Sequence, residues 1–260
     1  MRKPLVVANW KAFIESPERG LELIRGVIGK LPREGSAHIV VCPPDPLIAH
    51  LRAAYRGARL AFGAQNISLL GVGPYTGESP AALLKASGAT YVILGHAERR
   101  ALGENDDAVA QKVRIALEAK LTPILCIGER ERDASASYLT TIEAMVPASL
   151  RGIDARELKK IVIAYEPVWA IGAASAPGPR VVAEALLFIR KTLVQRYGRE
   201  YGMQPKLIYG GAVDATSAPL LLAEGGAEGF LVGRASTDVS EFIGIIRACE
   251  SKPSRRSRTG

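Results

Sequence analysis

The chain predicts an α/β protein, a single-domain (β/α)8 barrel over residues 1–250, and three observations carry that reading. Short β-branched runs alternate with longer segments of helical period along the whole body. The runs are near-continuously apolar rather than alternating, as parallel strands covered on both faces are. There are eight of them, with no linker dividing the chain into halves. A doubly wound open sheet would show fewer units and a GxGxxG turn after its first strand, and neither is present.

In order, the expected strands are LVVAN (5–9), HIVVC (38–42), LAFGAQ (60–65), YVILG (91–95), PILCIG (123–128), IVIAY (161–165), KLIYG (206–210) and GFLVG (229–233). Between them, 17–31 places Leu21, Ile24, Val27, Ile28 and Leu31 on one helical face. Segment 108–119 does the same with Val109, Val113, Ala116 and Leu117, and 181–197 with Val181, Ala185, Phe188, Ile189 and Leu193. Ser16-Pro17 starts the first helix: a capping hydroxyl, then a proline where its missing N–H matters least.

Composition narrows the class. With 260 residues, 48% hydrophobic and 23% charged, the chain is globular rather than disordered. Cys42, Cys126 and Cys249 are odd in number and share no CxxC spacing, which fits a reduced, cytoplasmic setting better than a disulfide framework or a zinc site. MRKPLVVANWK is too short in apolar residues for a signal peptide, and no run approaches a membrane span. Half of the net charge of +8 sits in SKPSRRSRTG (251–260), which reads as a basic, disordered tail. No aromatic residues interleave it, so neither nucleic acid nor membrane is expected as a partner.

A barrel puts its active site at the C-terminal ends of its strands. There, strand one delivers Asn9-Trp10-Lys11, strand three Gln65-Asn66, strand four His96, strand five Gly128-Glu129 and strand six Glu166. Glu166 alone could be an inert rim carboxylate, but Pro167 restricts it to extended geometry and so aims it. His96 precedes Ala97-Glu98-Arg99, a short helix whose N-terminus disfavours an imidazolium and suits a neutral, hydrogen-bond-donating ring. His38 and His50 have no convergent polar company and read as structural or surface residues. Gly172, Gly210-Gly211 and Gly233 can offer backbone N–H groups to a phosphate. A carboxylate base, a neutral histidine and a lysine around a phosphorylated small molecule suit proton abstraction beside a carbonyl, through an enediolate.

These residues resemble the triosephosphate isomerase family over 4–248. The resemblance rests on ANWK (8–11), GAQN (63–66), YTGE (75–78), VILGHAERR (92–100), LCIGE (125–129), AYEPVWAIG (164–172), IYGGAV (208–213) and GFLVGRAS (229–236), in order and at matching spacing. It implies interconversion of dihydroxyacetone phosphate and glyceraldehyde 3-phosphate, a step of glycolysis and gluconeogenesis, with no metal or organic cofactor. By the same resemblance Glu166 is the base, His96 polarises the carbonyl, Lys11 and Asn9 stabilise the enediolate, and Glu98 supports Lys11. Gly172, Ala212, Gly233 and Arg234 would meet the phosphate. Pro167, Val168, Trp169, Ala170 and Ile171, with Ala173, Ala174 and Ser175 at the tip, would form a lid that excludes water. The 71–79 loop, with Tyr75, Thr76, Gly77 and Glu78, would reach a second subunit, giving a homodimer. Cys126 would pack behind the base.

Departures from the family pattern cluster around the lid and the phosphate. Ala97 replaces a serine, Ala212 a serine, Arg234 a glycine, and Ala173-Ala174-Ser175 a Thr-Gly-Lys tip. On an ungapped alignment with the family, Pro177 falls where an N–H would meet the Tyr209 hydroxyl, and proline has none, so either the loop aligns differently or the latch is altered; weaker lid closure is the expectation. Two other readings stay open at this level: a related aldose-ketose isomerase for another short sugar phosphate, and a non-catalytic barrel that binds a phosphate ligand.

Overall fold

A computed structural model describes residues 2–31, 35–133, 136–172 and 176–250. The expected tail (251–260) and lid tip (Ala173, Ala174 and Ser175) lie outside these residues. Eight parallel strands close into a barrel in sequence order. They are β1 (Leu5–Asn9), β2 (His38–Cys42), β3 (Leu60–Ala64), β4 (Tyr91–Leu94), β5 (Thr122–Ile127), β6 (Val162–Tyr165), β7 (Lys206–Tyr209) and β8 (Gly229–Val232). Helices α1 (Pro17–Lys30), α2 (Ile48–Ala54), α3 (Ala81–Ala86), α4 (Ala97–Ala101), α5 (Asp106–Glu118), α6 (Ser137–Ser149), α7 (Pro179–Gly202), α8 (Ala218–Ala223) and α9 (Val239–Glu250) lie between and after them.

Every expected strand forms, and the differences fall at the ends. β3, β4, β5, β7 and β8 stop one residue early, at Gln65, Gly95, Gly128, Gly210 and Gly233, where the chain leaves the ladder for the mouth. The Ser16 hydroxyl caps α1 by accepting the Arg19 N–H at 3.2 Å. The helix expected over 181–197 runs on to Gly202 as α7, but past a kink at Gly198, whose φ of +76° no regular helix holds.

Strand alternation sorts the core into two layers. Val7, Val40, Cys126, Ala164, Ile208 and Leu231 belong to one buried cluster, whose residues alternate along the strands with those of the other. The larger cluster, including Val6, Phe62, Val92, Leu125 and Phe230, joins the sheet to the helices. Asn9 continues the alternation Leu5-Val7-Asn9, and Glu166 the alternation Val162-Ala164-Glu166. The apolar interior therefore has polar groups set on top of it at the mouth. Closure depends on Gly229, where a Cβ would lie 1.9 Å from the Leu5 carbonyl oxygen and block the β1–β8 pairing. No helix among the described residues is long and apolar enough to cross a membrane.

Candidate active site

Asn9 and Lys11 at the end of β1, His96 and Glu98 beyond β4 and Glu166 beyond β6 line one cavity of about 550 Å³. Lys11 stands just beyond β1 with a φ of +47°, a left-handed conformation that a residue with a Cβ rarely adopts. Its backbone is fixed on both sides: its N–H donates to Asn9 Oδ1 at 3.1 Å, and its carbonyl accepts Gln65 Nε2–H at 2.8 Å. Gln65 also donates to the Cys42 carbonyl at 3.0 Å, so β3 props the start of the β1 loop. The Lys11 ammonium meets Glu98 Oε1 at 2.6 Å.

His96 closes β4 and caps α4. The Glu98 N–H donates to its Nδ1 at 3.2 Å. A nitrogen that accepts an N–H carries no proton, so the proton of a neutral ring sits on Nε2. That Nε2 lies 2.7 Å from Glu166 Oε1, and the Ala97 N–H donates to Oε2 at 2.9 Å. Glu166 is 3% exposed, and both oxygens act as acceptors, the role of an ionised carboxylate. With alanine at position 97, the backbone N–H alone meets the base there.

Behind it, burial and the nearby Glu166 charge push the Cys126 thiol well up, so it holds its proton and packs rather than attacks. His38 and His50 lie away from this cavity: His38 starts β2 at the opposite end of the barrel, its ring 5.6 Å from that of Tyr91, and His50 is exposed on α2.

Gly172, Gly211, Ala212, Gly233 and Arg234 line the same cavity. The Ala212 N–H is engaged, donating to the Ala170 carbonyl at 3.2 Å. Arg234 lays its guanidinium 5.5 Å from the centre of the Phe13 ring, and Phe13 is itself part of the cavity wall. From Pro167 the chain enters a 3-10 turn, Val168–Ala170, then Ile171 and Gly172. The Tyr209 hydroxyl is buried with no hydrogen-bond partner among the described residues. Tyr75, Thr76, Gly77 and Glu78 lie away from the cavity, on a stretch that exposes Leu69, Leu70, Val72 and Tyr75.

Two further groups, Gln65 and Glu129, bear on the site: the sequence shows both as strand-end residues, but not their partners. Glu129 is 1% exposed, and its Oε1 accepts from Tyr165 Oη at 2.8 Å and Trp169 Nε1 at 2.9 Å. A glycine before it is required, since a Cβ on Gly128 would lie 2.0 Å from the Glu166 carbonyl oxygen.

A family model described as triosephosphate isomerase matches residues 4–249. The chain is 38% identical to the triosephosphate isomerase of Carboxydothermus hydrogenoformans over 252 residues, 95% of this chain and 99% of that protein. It is also 38% identical to that of Rhodopirellula baltica, over 96% of this chain and 99% of the other. Among solved structures, the triosephosphate isomerase from Bartonella henselae matches with a TM-score of 0.84 at 32% identity, covering 96% of this chain and all of that one.

Proposed function

This chain belongs to the triosephosphate isomerase family, and from that premise we propose that Glu166, His96 and Lys11 carry its chemistry. The protein is an isomerase that interconverts dihydroxyacetone phosphate and D-glyceraldehyde 3-phosphate through an enediolate. The observation that carries the assignment is the 2.7 Å approach of His96 Nε2 to Glu166 Oε1 in the cavity that also holds Lys11.

In the free enzyme the base rests on two neutral donors. A substrate carbonyl takes over the His96 Nε2–H, which frees Glu166 Oε1 to remove the proton from the neighbouring carbon. Charge then develops on the carbonyl oxygen, beside the imidazole N–H, the Lys11 ammonium and Asn9, and these donors stabilise it. His96 passes the proton between the two oxygens, and Glu166 returns its proton to the other carbon. Side chains alone suffice for every step. Glu98 keeps the Lys11 ammonium in place through their 2.6 Å contact.

Gly172, Ala212, Gly233 and Arg234 bind the phosphate, and the Ala212 N–H must leave the Ala170 carbonyl to do so. Arg234 adds a guanidinium at the cavity wall. Pro167–Ile171 forms the base of a lid whose latch is weakened, because Pro177 has no N–H to offer the Tyr209 hydroxyl, which is buried without a partner among the described residues. The exposed apolar side chains Leu69, Leu70, Val72 and Tyr75 support a homodimer through the 71–79 loop. Three buried free thiols support a cytoplasmic location.

The test is isomerisation of glyceraldehyde 3-phosphate by wild type and Glu166→Asp, with glycerol-phosphate dehydrogenase as the coupling enzyme. Withdrawing the carboxylate by one methylene lowers kcat by about a hundredfold or more. A wild type that turns over no triose phosphate, or a mutant within threefold of it, defeats the assignment.

A further inference from the structure

Glu166 lies in the stretch Tyr165-Glu166-Pro167-Val168-Trp169, where the Glu166 N–H donates to the Ile127 carbonyl at 2.8 Å, the Tyr165 carbonyl accepts the Gly210 N–H at 2.7 Å, and both flanks meet one carboxylate on the neighbouring strand end. Glu129 Oε1 accepts Tyr165 Oη–H at 2.8 Å on one side of the base and Trp169 Nε1–H at 2.9 Å on the other. The Glu129 carbonyl accepts the Val168 N–H at 2.9 Å. Where Glu129 sits therefore helps to set the direction in which Glu166 points, together with the Glu166 N–H bond to the Ile127 carbonyl.

A carboxylate this deeply buried calls for a charged partner to hold it in place. Among the described residues, one cation lies within 4.0 Å of Glu129. Arg132 brings Nε to 3.3 Å from the same Oε1. The guanidinium is itself immobilised. It lies 4.0 Å from the Tyr138 ring centre and 5.9 Å from that of Trp169. Its Nη2–H donates to the Val181 carbonyl and its Nη1 meets Glu184 Oε2, both at 3.3 Å. Val181 and Glu184 lie in the first turns of α7, the helix that follows the lid segment. One guanidinium thus joins the loop after β5, the start of α6, the first turns of α7 and the turn carrying Trp169.

We propose that Arg132 is a positioning residue for the catalytic base: by holding the Glu129 carboxylate it fixes both flanks of Glu166. The proposal rests on the isomerase reading for its catalytic consequence, but its geometric part stands apart from turnover.

The experiment compares Arg132→Met, Arg132→Lys and the double variant Arg132→Met/Glu129→Gln. Kinetics with glyceraldehyde 3-phosphate are normalised to folded protein, and Trp169 emission is followed in each. Trp10 is 2% exposed and far less accessible than Trp169 at 39%, so it serves as the internal reference. Arg132→Met should lower kcat about thirtyfold with KM changed less than threefold, because a misaimed base affects the chemical step more than binding. Trp169 emission should shift to the red. Arg132→Lys keeps the charge and should recover part of the loss. In the double variant an uncharged amide oxygen still accepts from Tyr165 and Trp169 and needs no counter-ion, so kcat should rise at least fivefold above Arg132→Met. A kcat for Arg132→Met within threefold of wild type, or a double variant no faster than it, overturns the proposal. If the wild type proved inactive, the isomerase reading would fail, while the Trp169 shift would still report whether Arg132 holds this segment.

Discussion

Glu129 and Glu166 follow neighbouring strands, β5 and β6, and are almost equally buried, at 1% and 3% exposure, yet they are held in opposite ways. Among the described residues Glu166 meets the His96 Nε2–H, the Ala97 N–H and the protonated Cys126 thiol, and it faces a cavity. Glu129 meets a guanidinium and two aromatic donors packed against it. Neutral donors facing a cavity can be taken over by substrate or water at little cost. A packed counter-ion cannot be released without stranding a buried charge. Burial of a carboxylate therefore does not mark it as reactive; the exchangeability of its partners does.

The sharpest way to break this contrast is to delete each carboxylate in turn. Glu129→Ala leaves Arg132 and two donors facing an apolar gap, and should destabilise the fold by about 3 kcal/mol, the lower end for a broken pair because Arg132 retains some solvent contact. Glu166→Ala should change stability by less than about 1 kcal/mol, since cavity water can reach its two donors, while activity falls by a thousandfold or more. Urea denaturation alongside kinetics measures both. Comparable stability losses would show that the two carboxylates do the same structural work.

A smaller effect is expected at Gln65. Gln65→Ala removes the donor that holds the Lys11 carbonyl, letting the φ of +47° relax toward ordinary geometry. A loss of about tenfold in kcat/KM should follow, one hydrogen bond's worth of alignment. An unchanged value would mean that Asn9 alone keeps Lys11 in place.

The smallest effect concerns the thiols, which share the burial of the two carboxylates. Burial, with the Glu250 charge adding to it, pushes Cys249 up to about 12, and burial raises Cys42 and Cys126 as well. A folded thiol with a raised pKa binds its proton where the unfolded thiol has lost it. Its contribution is therefore whole below about pH 8.5, the unfolded value, and is lost as pH rises toward the folded one. The urea midpoint should fall steadily from pH 8.5 to 11, and the native protein should resist thiol reagents at pH 8. Rapid labelling of the folded state at pH 8 would contradict the burial.

Much of this was legible in the chain. Eight apolar runs separated by helical periods determine a parallel barrel, because strands buried on both faces must be apolar throughout and parallel neighbours need crossovers. The barrel in turn tells where to look, so Lys11, His96 and Glu166 could be named from strand ends, and Pro17 from the backbone demands of a helix start. What the chain alone could not determine was partnership across strands. Gln65 reaches the Lys11 backbone 54 residues away, Glu129 reaches Trp169 across 40, and Arg132 reaches Val181 across 49. No periodicity or spacing carries such pairs, since they exist only once closure brings the strand ends together. The sequence by itself settled which chemical groups stand at the mouth; only the tertiary structure decided which of them is free to react and which is held. That choice depends on ångström-scale contacts between distant segments rather than on the identity of any one residue.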